Sequence, residues 1–308
     1  MRVVRVARNV FAFLGEGETA ETGWGANQAA VIGRKHVLVV DTCFSPQRAR
    51  SIISRIRSIT RKPIRFVVNT HYHSDHVFGN QVFQNQGATV LAHKNCARRI
   101  HQEGDERIRN YQRSSPAMRK ILRGLRQGYP DVELPDGARI DLGGVGVELI
   151  PPDRMAHTSG DTMVWCPEAR TLIAGDVLWN QYHPNLEDWD YEGWLKTLDM
   201  AKALNAHRII PGHGPIASPE NLDMFAEYLT RFHDAILPRV TENLGENELV
   251  TLLGLEACRN WKMLWILERN IQQLRKREYS TSPHVASVSH CKYNVVNGKS
   301  PEPYGRAI

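Results

Sequence analysis

Residues 69–76 are Asn69-Thr70-His71-Tyr72-His73-Ser74-Asp75-His76, directly after the apolar run Phe66-Val67-Val68. Such a run is typical of a buried strand, so the polar residues stand at a strand end. Because side chains alternate along an extended chain, His71 and His73 point the same way, while the last Asp and His lie in the turn beyond. Clustered buried polar side chains need partners, which a metal ion supplies at low cost. The stretch therefore predicts a metal site.

Three further residues occupy settings from which they could complete a zinc pair. His157 lies in a glycine-containing turn before an apolar strand, and Asp176 ends the apolar stretch Leu172-Ile173-Ala174-Gly175. His213 stands between two glycines, which let the backbone approach an ion closely. All three are predicted at strand exits, where side chains from neighbouring strands can converge.

On these residues the chain resembles the metallo-β-lactamase-fold hydrolase superfamily, in its glyoxalase II and lactonase-like branch. Asp41 after a first apolar strand, the His-x-His-x-Asp-His box, His157, Asp176 and His213 follow in the family's order, over about residues 3 to 236. The resemblance implies an α/β fold, an αββα sandwich of two mixed sheets flanked by helices. Two similar strands that end in Asp41 and Asp176 also suggest two related halves with the site between them.

The resemblance implies two zinc ions, with Fe or Mn as alternative metals. One ion is assigned three histidines: His71, His73 and His157. The other is assigned Asp75, His76 and His213. Asp176 would bridge the ions, and Asp41 would orient the His-box turn without touching metal.

The implied activity is that of a dinuclear zinc-dependent hydrolase. A metal-bridging hydroxide, available because metal lowers the pKa of bound water to about 7, would attack an ester, thioester, lactone or amide carbonyl. Asp75 and Asp176 are the expected catalytic residues, and Asp75 could take or relay the proton. The sequence offers no motif for a serine or cysteine nucleophile.

Other activities of the same fold stay open. A β-lactamase is one, although such enzymes usually carry Cys or Ser where this chain has Asp176. A metal-dependent nucleic-acid processing enzyme is another, but the extra domain that those nucleases insert is missing. An iron persulfide dioxygenase uses a smaller ligand set. Flavo-diiron relatives are disfavoured because they carry Glu at the position of His73.

Residues after Asp176 are predicted to leave the metal turn as an irregular loop, where specificity commonly resides. Trp179, Tyr182 and His183 are the candidate substrate-binding residues of this loop. The segment from Lys94 to Arg126 holds ten Lys or Arg against three Asp or Glu. This basic helical insertion, about 94–127, is compatible with a small anionic substrate, while nucleic acid is a less favoured partner.

Length and composition fit a globular hydrolase. The 308 residues are 42% apolar and 23% charged, with a net charge of +6. Residues 1–240 are predicted as the hydrolase domain, 241–278 as a helical extension packed on the core, and 279–308 as a mobile tail. Five cysteines without a C-x-x-C pair favour reduced thiols and a cytoplasmic location. No apolar stretch is long enough to cross a membrane, and a homodimer stays open.

Overall fold

A computed structural model describes the backbone of residues 1–281 and the side chains of residues 1–276. Two mixed β-sheets pack face to face, and helices cover both outer faces. The predicted αββα sandwich is confirmed. The predicted tail lies outside the described residues, apart from positions 279–281, which continue the last helix.

The first sheet contains seven strands, hydrogen-bonded in chain order. They are β1 (Arg2–Ala7), β2 (Val10–Leu14), β3 (Gln28–Ile32), β4 (Val37–Val40), β5 (Ile64–Asn69), β6 (Thr89–Ala92) and β7 (Val132–Glu133). The second sheet consists of β8 (Ala138–Asp141), β9 (Gly146–Ile150), β10 (Met163–Cys166), β11 (Thr171–Trp179) and β12 (Arg208–His213). Its order is β12-β11-β10-β9-β8, and only β11 and β12 pair in parallel.

The helices lie between and after these strands. They are α1 (Pro46–Ile59), α2 (Ser74–Val77), α3 (Asn80–Gln84), α4 (Lys94–Ser114), α5 (Pro116–Ile121), α6 (Tyr191–Ala203), α7 (Glu220–Arg231), α8 (Glu246–Leu253) and α9 (Trp265–Thr281). A π-helical and a 3-10 turn follow α7 over residues 232–239.

Strand β4 shows how alternation builds the two cores. Val37 and Val39 pack under α1, whereas Leu38 and Val40 pack between the sheets. The cluster between the sheets also takes apolar residues from β9, β10 and β12. Because both faces of the strand are buried, its sequence is continuously apolar.

The C-terminal residues pack on the outer face of the second sheet. Leu249, Trp261 and Leu267 belong to the same apolar cluster as Trp194 of α6 and Phe225 of α7. The segment predicted as a helical extension, 241–278, contains two α-helices, α8 and α9, and α9 begins only at Trp265, after Met263 adopts a left-handed φ of 62°.

The predicted helical insertion of about 94–127 consists of α4, which runs unbroken from Lys94 to Ser114, and α5, which ends at Ile121. No helix within residues 1–281 is both long and apolar enough to cross a membrane. The four cysteines of the described side chains are free and buried.

Candidate metal centre

The turn after β5 is fixed by a buried carboxylate. Asp41 follows β4 with a φ of 61°, and its Oδ1 accepts a hydrogen bond from the backbone N–H of Thr70 at 2.8 Å. Its Oδ2 lies 2.8 Å from Thr70 Oγ1 and 2.8 Å from His76 Nδ1. Since a carboxylate can only accept, His76 donates through Nδ1 and keeps Nε2 as its ligand atom.

The Thr70 hydroxyl fixes a second imidazole. Its hydrogen is given to Asp41, so its oxygen is left to accept from His71 Nδ1 at 3.0 Å. His71 therefore presents Nε2 to the site. The next turn is the one-turn helix α2, which contains Asp75 and His76.

Strand β11 carries Asp176 in its interior, not at its end as expected. Gly175 has a φ of 55°, and the pairing with β12 shifts register around it. This irregularity aims Asp176 at the site, after which the strand resumes and pairs Trp179 with His213. Gly212 lies so close that an added Cβ would meet Asp176 Oδ1 at 1.9 Å.

Three histidines and one carboxylate oxygen form the first group of ligand atoms. His73 Nδ1 lies 3.1 Å from His71 Nε2 and 3.0 Å from His157 Nε2. Asp176 Oδ2 lies 3.5 Å from His71 Nε2 and 3.3 Å from His157 Nε2. All four residues are buried.

The second group uses the other oxygen of the same carboxylate. Asp176 Oδ1 lies 3.2 Å from His76 Nε2 and 3.5 Å from His213 Nε2. Asp75 Oδ2 lies 3.6 Å from His76 Nε2 and 3.4 Å from His213 Nε2. The structure thus brings all seven sequence-predicted ligands together, and Asp176 stands between the two groups.

This geometry fits metal ions. Two ligand atoms, each about 2.1 Å from a tetrahedral ion, lie roughly 3.4 Å apart, close to the spacings in both groups. Several of these atoms are buried without a protein hydrogen-bond partner, namely His76 Nε2, His213 Nε2 and Asp176 Oδ1. Buried polar atoms normally have a hydrogen-bond partner, and a bound cation would supply the missing interaction here. Imidazole and carboxylate donors suit Zn, Fe or Mn.

Burial and neighbouring charges shift the pKa values of the clustered residues in different ways. Burial lowers the pKa of His71, His73 and His157, so these imidazoles are neutral, as metal ligation requires. Burial alone would raise the pKa of the Asp176 carboxyl, but the nearby imidazoles, His76 first, hold it well below its usual range. The carboxylate that stands between the two groups is therefore ionised.

A cavity of about 490 Å³, measured to its open mouth, lies over these groups. Besides ligands, its wall contains Trp24, Arg107, Tyr111, Trp179, Glu187, Met263, Trp265, Ile266 and Arg269. Trp24 and the four residues from 263 onward carry no local sequence signature of a site. For the four residues from 263 onward, the only signal in the sequence is the aromatic and apolar content of the segment after Trp261.

The three predicted substrate residues are in different places. Trp179 lines the metal cavity. Tyr182 lines a separate surface cavity, where its hydroxyl donates to the Gly17 carbonyl. His183 is fully buried, with Nδ1 2.9 Å from the Tyr228 hydroxyl, and does not line the metal cavity. It supports the C-terminal segment, since its backbone N–H donates to the Lys262 carbonyl.

Most basic side chains of the helical insertion do not line the metal cavity. Arg109, Arg113, Arg119, Lys120 and Arg123 line a groove on α4 and α5 that shares no residue with the metal cavity. Of the ten basic residues in this segment, Arg107 alone lines the cavity. Most of the positive charge of the insertion thus lies away from the metal centre.

The family model of the metallo-beta-lactamase superfamily matches residues 22–213, and the chain belongs to this superfamily. A beta-lactamase-like protein 2 homolog from Caenorhabditis elegans is 27% identical over 229 residues, covering 72% of this chain and 66% of the relative. A linear primary-alkylsulfatase from Pseudomonas sp. (strain ATCC 19151) is 24% identical over 259 residues, covering 71% and 48%. The chain therefore spans half to two thirds of these relatives.

Solved structures show the same fold. A metallo-beta-lactamase from Pontibacter korlensis superposes with a TM-score of 0.60 at 19% identity, covering 74% of this chain and 98% of that chain. The DIM-1 metallo-beta-lactamase superposes with a TM-score of 0.58 at 18% identity, covering 74% and 96%.

Proposed function

We propose that the chain is a dinuclear zinc-dependent hydrolase of esters, thioesters, lactones or amides. The observation that carries the proposal is the Asp176 carboxylate, whose Oδ2 faces one group of ligand atoms and whose Oδ1 faces the other. One carboxylate placed between two sets of ligand atoms, with one oxygen toward each set, is an arrangement that can hold two ions at a short separation.

A zinc pair would supply ionised water at neutral pH and would polarise the scissile carbonyl. The chain's own residues would position the substrate and move the proton. Asp75 lines the cavity, and its Oδ2 belongs to the second group of ligand atoms. Its carboxylate is therefore placed to accept a proton. Tyr111 lines the same cavity, and burial followed by the charge of Asp75 raises the pKa of its hydroxyl to about 12. It is therefore a neutral O–H donor for a substrate oxygen.

The decisive experiment measures metal content and turnover together. Elemental analysis of the mildly purified chain should give about two transition-metal ions. The zinc-loaded protein is then assayed on a lactone, a thioester, an aryl ester, a chromogenic cephalosporin and a phosphodiester. We expect carbonyl substrates to be hydrolysed fastest.

Asp176→Asn tests the bridge itself. The variant should lose at least about a hundredfold in turnover and bind less metal, because both groups lose an anionic ligand. Asp141→Asn is the matched control, since Asp141 accepts from Gly143 and Gly144 in an exposed turn away from the site. Wild-type turnover in Asp176→Asn, or less than one metal ion per wild-type chain after zinc addition, would refute the proposal.

Sulfate ester hydrolysis is a second candidate, favoured by the similarity to the linear primary-alkylsulfatase. Adding hexyl sulfate to the assay distinguishes sulfate ester hydrolysis from carbonyl hydrolysis. Turnover of hexyl sulfate without turnover of any carbonyl substrate would replace the first proposal by the second.

A further inference from the structure

Trp265 is an exposed aromatic residue at the mouth of the metal cavity. Among the described side chains only Ile59, Val132 and Trp265 are large, apolar and exposed, and of these only Trp265 lines the cavity. It is the first residue of α9 and 36% exposed. Ligand cavities are commonly lined by aromatic and apolar side chains around a few polar groups, which is the setting of this ring.

The backbone before Trp265 is held in an unfavourable conformation. Met263 has a φ of 62°, a region that non-glycine residues rarely adopt. Its N–H donates to Glu18 Oε2 at 2.7 Å, and the N–H of Lys262 donates to the Gln181 carbonyl at 3.0 Å. Strain of this kind persists where the surroundings fix it, and it clusters at ligand sites.

Helix α9 is also fixed, through a buried amide. Asn270 is fully buried; its Nδ2 donates to the Pro184 carbonyl at 2.9 Å, and its Oδ1 accepts from the Leu186 N–H at 3.0 Å. Both partners belong to the segment that follows β11. The wall formed by α9 is therefore set rigidly against the metal centre.

One part of the cavity wall is apolar, although polar atoms make up more of the cavity's exposed lining. Met263, Ile266 and Trp265 come from the C-terminal segment, and Trp24 and Tyr111 add two rings whose centroids lie 5.8 Å apart. Such a surface removes an alkyl or aryl group from water without offering it a polar partner.

The two arginines of the wall are already paired. Arg107 donates to Glu103 Oε2 from Nε at 3.0 Å and from an η nitrogen at 2.8 Å. Arg269 lies 3.7 Å from the carboxylate of Glu187, which lines the same cavity. Each guanidinium thus has a carboxylate beside it, so the wall carries little net charge.

We propose that residues 263–269 make the cavity selective for substrates with an uncharged alkyl or aryl group next to the scissile bond. The inference rests on the proposed hydrolase function for the reacting bond. The apolar group packs against Trp265, Ile266 and Met263, while the polar bond faces the ligand clusters. Residues 263–269 lie outside the region matched by the family model, which ends at residue 213.

Binding of simple carboxylates tests the wall without requiring turnover. Calorimetric titration of the zinc-loaded, full-length chain compares acetate, hexanoate and adipate, which share a carboxylate for the metals. Each buried methylene should tighten binding roughly threefold to fourfold, so hexanoate should bind at least about tenfold more tightly than acetate. Adipate, whose second charge would lose its hydration, should bind more weakly than hexanoate.

Single substitutions test whether Trp265 causes the preference for hexanoate over acetate. Trp265→Ala should reduce the advantage of hexanoate at least threefold with unchanged acetate binding and zinc content, and Trp265→Phe should retain most of it. Val132→Ala, at an exposed apolar residue outside the cavity, is the matched control and should behave as wild type. Equal binding of acetate and hexanoate by the wild type would overturn the proposal. So would tighter binding of adipate that Arg269→Gln abolishes.

Hydrolysis assays with p-nitrophenyl acetate and p-nitrophenyl hexanoate distinguish failure of the hydrolase proposal from failure of the selectivity proposal. Preferential binding of hexanoate by a chain that hydrolyses none of the carbonyl substrates would refute the hydrolase function alone. Ester hydrolysis with no preference in binding or in kcat/KM for the longer chain would refute the wall alone.

Discussion

The indole ring of Trp179 stacks on the imidazole ring of His213, with centroids 3.9 Å apart and planes inclined by 8°. On its other edge, His213 donates from Nδ1 to the Trp24 carbonyl at 2.9 Å, because a carbonyl can only accept. These two contacts leave His213 a single orientation, with Nε2 aimed at Asp75 and Asp176. The ligand is held by one residue of its own sheet and by one residue from the first half of the chain.

Removing the stacked ring should therefore weaken the second ligand group. We expect Trp179→Ala to lower the affinity for one of two zinc ions about tenfold or more, because partners that orient a ligand contribute on this scale. Trp179→Phe keeps an aromatic face and should stay within about threefold of wild type. Competitive zinc titration with a chromogenic chelator measures both sites. Unchanged affinity in Trp179→Ala would show that the Trp24 carbonyl alone fixes His213.

Gly212 should not tolerate a methyl group. In Gly212→Ala the new Cβ would fall 1.9 Å from Asp176 Oδ1, so the bridging carboxylate has to move. We expect loss of both metal ions together and a fall in turnover of at least about tenfold. Gly146→Ala on β9 is the control, since its Cβ meets nothing closer than 3.4 Å. Full metal content in Gly212→Ala, measured by elemental analysis, would contradict the expectation.

Asp41 should matter for metal binding although it lies outside both ligand groups. Asp41→Asn keeps an acceptor for the Thr70 N–H, but its amide nitrogen cannot accept from His76 Nδ1 as Oδ2 does. We expect a tenfold to hundredfold loss of zinc affinity, roughly the effect of removing such a partner elsewhere. Asp141→Asn serves again as control, and an equal loss there would point to a general charge effect.

His183 should make the fold sensitive to acid. Burial lowers the pKa of this histidine from 6.5 to about 4, so between these values the unfolded chain binds a proton that the folded chain does not. Stability should therefore rise with pH across this window, and His183 should contribute about 2 kcal/mol of the difference between about pH 5 and pH 7. Denaturant unfolding of wild type and His183→Gln at both pH values measures this contribution. A destabilisation by His183→Gln that is equal at both pH values would contradict it.

The ligand positions were predictable because metal chemistry restricts residue type and spacing. Three histidines and one aspartate within six residues have few other uses; Asp176 and His213 each end an apolar stretch, and His157 lies in a turn before one. The irregularity at Gly175 was not predictable, since an isolated glycine after an apolar run also marks a turn. For this reason Asp176 was expected at a strand end and lies inside β11.

The cavity wall depends on contacts that no local pattern encodes. Met263 breaks the expected helix because Glu18, far away in the sequence, receives its N–H. His183 was expected in an irregular loop beside the substrate, but its ring is fully buried and packs against Tyr228 and Trp261. A single sequence shows that such residues are polar and follow a strand, but not which distant side chains cover them.

His213 is the last of the grouped ligand residues, and the C-terminal part of the cavity wall begins only at Met263, fifty residues further along the chain. The wall is joined to the rest of the cavity by a few hydrogen bonds, including those of Asn270. Under the two proposals, reactivity and selectivity are encoded in separate stretches of sequence. Duplicated copies of this chain could diverge toward new substrates through residues 263–269 while every metal ligand stays the same, and a directed library confined to that stretch could do likewise.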